Sequence, residues 1–211
     1  MSHTRRPNVW LQSLPAAPNR NLRLAIGGVH VCQAHATERA ALSEDVMRQR
    51  DEVLAMKPKV YIETSVLSYL TARPSRDAIV AGNQATTRDW WERRADFDLY
   101  ISVFVLEESR MGDPQAVATR LLAISGVPEI AITPEVALIA DGLLSQASLP
   151  AKARLDALHI ASATLGGMDY LLTWNCTHIA NPAFRPKIEA LIRAFGYEPP
   201  VICTPQELIE V

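Results

Sequence analysis

Oxygen-bearing side chains in this chain recur where an apolar run gives way to a helical pattern. Glu63-Thr64-Ser65 follows Val60-Tyr61-Ile62, Glu107-Glu108 follows the run Asp98–Val103, and Asn175 closes Asp169–Trp174. Asp156 lies in the helical pattern that precedes that last run, flanked at helical spacing by Ala157, Ile160, Ala161 and Leu165. In an open α/β sheet, ligands gather at the carboxyl ends of the strands, so carboxylates at these corners differ in meaning from surface ones. A carboxylate embedded in an apolar helix face needs a partner or a shifted pKa. Several together have one common resolution, a hard divalent cation held by oxygen ligands. Glu63 also suits the first turn of a helix through the dipole, with Thr64 or Ser65 as its cap. Spacing does not choose between Glu107 and Glu108.

Other polar residues fall near these corners. His159 is three residues after Asp156 and shares roughly its helix face; it could support a site ligand from behind, but a buried histidine satisfied by the backbone is the simpler expectation for it. His178 and Asn181 follow the Asn175 corner and could point toward phosphate or a reacting water. Cys176 has no base or second thiol nearby and reads as packing. Trp90-Trp91 suits either a partner-facing patch or a core residue beside a half-buried one. Arg73, Arg76, Arg93 and Arg94 are the best basic residues for nucleic-acid phosphates.

The elements that must position these groups alternate from Met56 onward. Strands are expected at Val60–Ile62, Asp98–Val103, Glu129–Ile132, Asp169–Trp174 and Val201–Cys203. Helices are expected over Val66–Ala72, about 77–95, from Leu106-Glu107-Glu108, over Gln115–Ser125, from Thr133-Pro134, over Ala151–Leu165 and over Arg185–Phe195, with a short one after Thr204. Asp113-Pro114 and Thr133-Pro134 place a cap before a proline at the first helical position, and Thr204-Pro205-Gln206-Glu207 spells a capping box. This order implies a mostly parallel sheet with helices on both faces.

Composition bounds the rest. The 211 residues are 48% hydrophobic and 21% charged with a net charge of -2, and the mean hydropathy is +0.03, as for a globular chain with one good core. Residues 1–55 carry seven basic and five acidic residues against fourteen and eighteen in the remainder. A mildly acidic body argues against a broad nonspecific nucleic-acid surface. Pro7, Pro15, Pro18 and Gly27-Gly28 break up any period near the N-terminus, and residues 34–55 suit a polar helix. We expect an N-terminal extension over 1–55 and a compact domain over 56–211, with Met56 a candidate natural start. Cys32, Cys176 and Cys203 form neither a disulfide framework nor a paired metal motif, which suits a reducing cytoplasm. No apolar run is long enough to span a membrane.

Taken together, Ile62-Glu63-Thr64-Ser65, Ile101-Ser102 with Val105-Leu106-Glu107-Glu108, Leu155-Asp156-Ala157-Leu158-His159-Ile160-Ala161 and Leu171-Leu172-Thr173-Trp174-Asn175 resemble the four motifs of PIN-domain nucleases. The nearest likeness is to VapC-type toxins of bacterial toxin–antitoxin pairs, over about residues 58–208. The resemblance implies an α/β, PIN-like (Rossmann-like, three-layer) domain that binds Mg²⁺ or Mn²⁺ and hydrolyses RNA. Residue by residue, it makes Glu63, Glu108, Asp156 and Asn175 the catalytic set, with Glu63, Glu108 and Asp156 holding metal. Thr64, Ser65, Thr173, His178 and Asn181 are supporting residues. Two departures stand out: the first acid is Glu where Asp is usual, and the fourth position is the neutral Asn175. Asn can offer a carbonyl oxygen to a cation or its water, but the site loses a negative charge, and a one-metal resting state is expected. The implied partners are an RNA substrate, a small antitoxin protein and a second copy of the chain, with no membrane. A catalytically inactive PIN-like module that binds RNA or protein is the competing expectation. A phosphatase-type hydrolase is disfavoured, because that chemistry wants Asp-x-Asp where this chain has Glu63-Thr64-Ser65.

Overall fold

The structure is a computed structural model that describes residues 56–147 and 149–209. The helix expected over residues 34–55 lies outside the described residues. Contacts divide the chain between Val53 and Leu54, and every described residue belongs to the second unit. Four short strands form its sheet: β1 (Lys59–Ile62), β2 (Asp98–Tyr100), β3 (Tyr170–Leu172) and β4 (Val201–Cys203). Their order is β2-β1-β3-β4 and every pairing is parallel. Val60 lies opposite Leu99 on one side and Tyr170 on the other. Successive strand residues face opposite sides of a sheet, and Val60, Tyr61 and Ile62 are all 0% exposed. Both faces of β1 are therefore covered, as the apolar run requires.

Eight α-helices accompany the sheet among the described residues: α1 (Thr64–Thr71), α2 (Ala78–Glu92), α3 (Val103–Ser109), α4 (Pro114–Ala123), α5 (Pro134–Ser145), α6 (Arg154–Leu165), α7 (Arg185–Ala194) and α8 (Pro205–Ile209). The domain is thus α/β with a parallel sheet flanked by helices, consistent with the three-layer, PIN-like architecture expected. The local signals act as chemistry demands. Asp77 and Asp113 each accept two amide hydrogens at the starts of α2 and α4. At α8, Glu207 accepts the Thr204 amide at 2.7 Å while Thr204 Oγ1 accepts the Glu207 amide at 3.4 Å, a reciprocal box. Helix α6 buries Ala157, Ile160, Ala161 and Ala163, and the three alanines leave room for its neighbours to pack against it. No helix among the described residues is long and apolar enough to cross a membrane.

Two expectations need correction. The strand expected at Glu129–Ile132 is reduced to one bridge between Ile101 and Glu129. Its two hydrogen bonds run from the Ile101 amide to the Pro128 carbonyl (3.1 Å) and from the Ile130 amide to the Ile101 carbonyl (2.8 Å). The cause lies in β2, which stops at Tyr100 because α3 begins at Val103, leaving Ile101 alone to pair; Pro128 also lacks an amide hydrogen. For the same reason α3 does not open at Leu106-Glu107-Glu108. Glu108 sits near its C-terminal end, one residue before Ser109.

The path of the chain also fixes where a ligand would sit. From β1 it moves outward to β2 and then returns across to β3 on the other side of β1. The boundary between β1 and β3 is therefore a topological switch point, the place where open α/β sheets commonly bind ligands.

Candidate metal centre

Glu63 stands at that switch point. Its amide continues the sheet ladder to the Leu172 carbonyl at 3.0 Å, and its side chain caps α1 by accepting the Ser65 amide at 3.1 Å. Glu63 is thus itself the cap, rather than a first-turn residue capped by Thr64 or Ser65. Its other oxygen, Oε2, accepts the hydroxyls of Ser65 and of Thr173, the latter at 2.7 Å across the switch point. The Ser65 hydroxyl in turn accepts the Trp174 amide at 2.8 Å. Glu63 is only 5% exposed, so these donors replace the water that an ionised carboxylate otherwise needs.

Glu108 reaches the same corner from α3. The Thr64 hydroxyl donates to its Oε2 at 2.5 Å, and His159 Nε2 meets the same oxygen at 2.9 Å. Glu107 is exposed, which settles the choice that spacing left open. Burial pushes the Glu108 carboxyl up, but the hydrogen bonds from His159 and Thr64 and the charge of His159 outweigh it, and the net shift is downward. His159 is 1% exposed; its partners are side chains, Glu108 and the Tyr61 hydroxyl at 2.8 Å, and not the backbone. Glu63, Glu108 and His159 offer ligand atoms that all lie within 4.8 Å of one another.

Asp156 belongs to an adjoining group. Its Oδ1 accepts the Asn175 side-chain amide at 2.9 Å and its Oδ2 meets His178 Nδ1 at 2.7 Å. The Asn175 carbonyl oxygen accepts the His178 amide at 3.1 Å, which fixes the orientation of the Asn175 side chain. That oxygen therefore closes a turn, and Asn175 presents its NH₂ to the site. The two groups are joined where the Asn175 amide donates to Thr173 Oγ1 at 2.8 Å. One hydrogen-bonded line thus runs from Glu63 through Thr173 and Asn175 to Asp156. Asn181 takes no part in it: its side chain bonds the Thr177 carbonyl and the Ala183 amide.

Of the other sequence candidates, Trp90 is 0% exposed and Trp91 is half-buried under the Arg94 guanidinium, 5.2 Å from the ring centroid. Arg93 bonds the Ile209 carbonyl, so both arginines of that pair have structural partners. Arg73 and Arg76 are exposed. Sequence reasoning missed Tyr61 and Ser102, whose side-chain oxygens lie 2.6 Å apart behind His159. The clue was available, since a tyrosine inside a strand buried on both faces must find a partner for its hydroxyl.

A divalent cation suits these donors. Two carboxylates converge on a buried corner, and among the described residues the ion-pair partners of Glu108 and Asp156 are histidines, with no Lys or Arg neutralising the cluster. Among the described residues the hydrogen bonds to Glu108 fall on Oε2 and leave Oε1 open, and a carboxylate has about four lone-pair sites in all. Oxygen donors of this kind are those that Mg²⁺ and Mn²⁺ take. Among known proteins, the chain matches no protein-family model and no curated protein.

Proposed function

We propose that the chain is a divalent-metal-dependent endoribonuclease of PIN-like type, acting as the toxin of a toxin–antitoxin pair. The observation that carries this reading is the meeting of Glu63, from the end of β1, and Glu108, from α3, at the switch point of a parallel sheet. Glu63 and Glu108, with Asp156 alongside, would hold Mg²⁺ or Mn²⁺. When bound, such a cation offsets charge on phosphoryl oxygens and acidifies water. The chain's own residues prepare the place. Ser65 and Thr173 hold Glu63, Thr64 and His159 hold Glu108, and Asn175 and His178 hold Asp156, so the carboxylates need little reorganisation when charge arrives. His178 directs Nδ1 at Asp156, which leaves Nε2 as the ring nitrogen available to substrate. Exposed Arg73 and Arg76 supply positive charge for RNA phosphates. A small antitoxin protein and a second copy of the chain are the partners this reading brings with it.

The test is RNA scission by the purified full chain with Mn²⁺, with Mg²⁺ and with EDTA. Scission that requires the metal and disappears in Asp156→Asn, with the circular dichroism spectrum unchanged, is the expected result. Scission that survives EDTA, or full activity in Asp156→Asn, refutes it. A growth assay with the gene expressed alone, and together with any small reading frame found beside it, tests the toxin assignment. One observation favours the alternative, a non-catalytic module: both Asp156 oxygens already have partners within the chain. RNA binding without scission at any metal concentration would support that reading.

A further inference from the structure

Behind Glu108 runs a buried line of hydrogen bonds that the carboxylates alone do not account for. Ser102 Oγ is 2.6 Å from the Tyr61 hydroxyl, that hydroxyl is 2.8 Å from His159 Nδ1, and His159 Nε2 is 2.9 Å from Glu108 Oε2. Ser102 and Tyr61 are 0% exposed and His159 is 1% exposed, so each polar atom depends on its protein partner. The proton positions follow from donor chemistry. An ionised carboxylate only accepts, so His159 Nε2 carries the hydrogen. When the ring is neutral its Nδ1 only accepts, so in that form Tyr61 donates to it and Ser102 donates to Tyr61. With the neutral ring the line has one polarity, with every donor directed toward Glu108. Burial drives the Tyr61 phenol far above its ordinary pKa, against the pull of Ser102 and with repulsion from Glu63 and Glu108 added, so it stays a neutral donor. Ser102 stands at the N-cap position of α3 yet makes no capping bond with its side chain; its hydroxyl serves the line instead. The rings of Tyr61 (centroid 5.9 Å away) and Phe104 (6.3 Å away, edge-on) confine the imidazole.

We infer that His159, held by Tyr61 and Ser102, is the positioning residue for Glu108: it commits one carboxylate oxygen to the interior and leaves Oε1 for a cation shared with Glu63. The inference rests on the metal-dependent function proposed for this site and assigns the imidazole no contact with metal or RNA. Partners that orient a metal ligand typically govern metal affinity by about 10–100-fold.

The experiment is Mn²⁺ titration of the full chain, followed by calorimetry and by electron paramagnetic resonance, for wild type, His159→Gln and Tyr61→Phe, each well below its melting temperature. Tyr61→Phe keeps the ring and removes only the hydroxyl, so it serves if His159→Gln does not fold. Weaker Mn²⁺ binding is expected in both, by about 10–100-fold for His159→Gln; a residue that only fills the core would lower the melting temperature and leave affinity unchanged. In metal-free wild type, ¹⁵N NMR should show His159 protonated at Nε2 and bare at Nδ1. Wild-type affinity retained in the folded variants overturns this inference and spares the nuclease reading. No Mn²⁺ binding by wild type overturns both. A ¹⁴N coupling between Mn²⁺ and the imidazole would make His159 a ligand and overturn the positioning role, as would an Nδ1-protonated ring.

Discussion

Replacing Thr173 with Val removes one hydroxyl from the middle of the candidate centre while nearly keeping the shape. Thr173 is 0% exposed. Its hydroxyl donates to Glu63 Oε2 at 2.7 Å and accepts the Asn175 amide at 2.8 Å. A hydrogen bond to a charged group contributes about 1.5–3 kcal/mol. The Asn175 amide is half-buried, and losing its partner adds about 0.5–1 kcal/mol. Thr173→Val should therefore destabilise the domain by about 2–4 kcal/mol, which at this chain length lowers the melting temperature by roughly 5–15 °C. Thr173→Ser keeps the hydroxyl and loses a methyl, at a cost of about 1 kcal/mol, so the difference between the two variants isolates the hydroxyl. Urea denaturation gives both values, with an unchanged m confirming that only stability moved. If Thr173→Val and Thr173→Ser agree within about 0.5 kcal/mol, the hydroxyl does not bind Glu63 and the joint between the two acidic groups is wrong.

Two further outcomes concern other residues. Glu108 has a native pKa below its ordinary value, so it contributes stability that is present above the unfolded value of about 4.3 and is lost as pH falls through the lowered native value. In metal-free protein, Glu108→Gln should flatten the acid limb of the stability profile; an unchanged limb refutes the assignment. Burial, with repulsion from Glu207 added and against the pull of Arg185, pushes the Cys203 thiol up to about 12, whereas Cys176 is exposed. At pH 8 about one Cys203 in ten thousand is thiolate, so iodoacetamide should label Cys176 in the native protein and Cys203 only after unfolding, as peptide mass mapping will show; equal rates contradict the packing of β4.

Much of this arrangement is legible in the sequence, for local reasons. The run Val60-Tyr61-Ile62 could only be a strand covered on both sides, and Asp113-Pro114 and Thr204 to Glu207 announce helix starts through groups that sit within a turn of one another. Parallel order comes from alternation, and with it the idea that strand-end oxygens meet. The missing parts depend on residues distant in sequence. Ser102, just beyond the end of β2, pairs its hydroxyl with Tyr61, and that pairing spans 41 positions. The strand expected at Glu129–Ile132 carries the right residue types but has only Ile101 to pair with. His159 looks self-sufficient in sequence because nothing near it in the chain needs a proton; its partners come from β1 and α3. Asn175 carries the right atoms for a cation, yet its turn with His178 spends the carbonyl locally.

The separation between the two sides of the switch point has a temporal consequence. Glu63 and Thr173 are 110 positions apart, as are Lys59 and Asp169, whose carboxylate receives the Lys59 amide at 2.7 Å. At typical synthesis rates the ribosome needs about 5–20 s to cover that distance. Through that interval a growing chain displays Glu63 with no β3 to dock against, and a chain cut short before residue 173 lacks the Thr173 hydroxyl that donates to it. The corner around Glu63 is completed late, when the distal third of the polypeptide closes on the proximal strand.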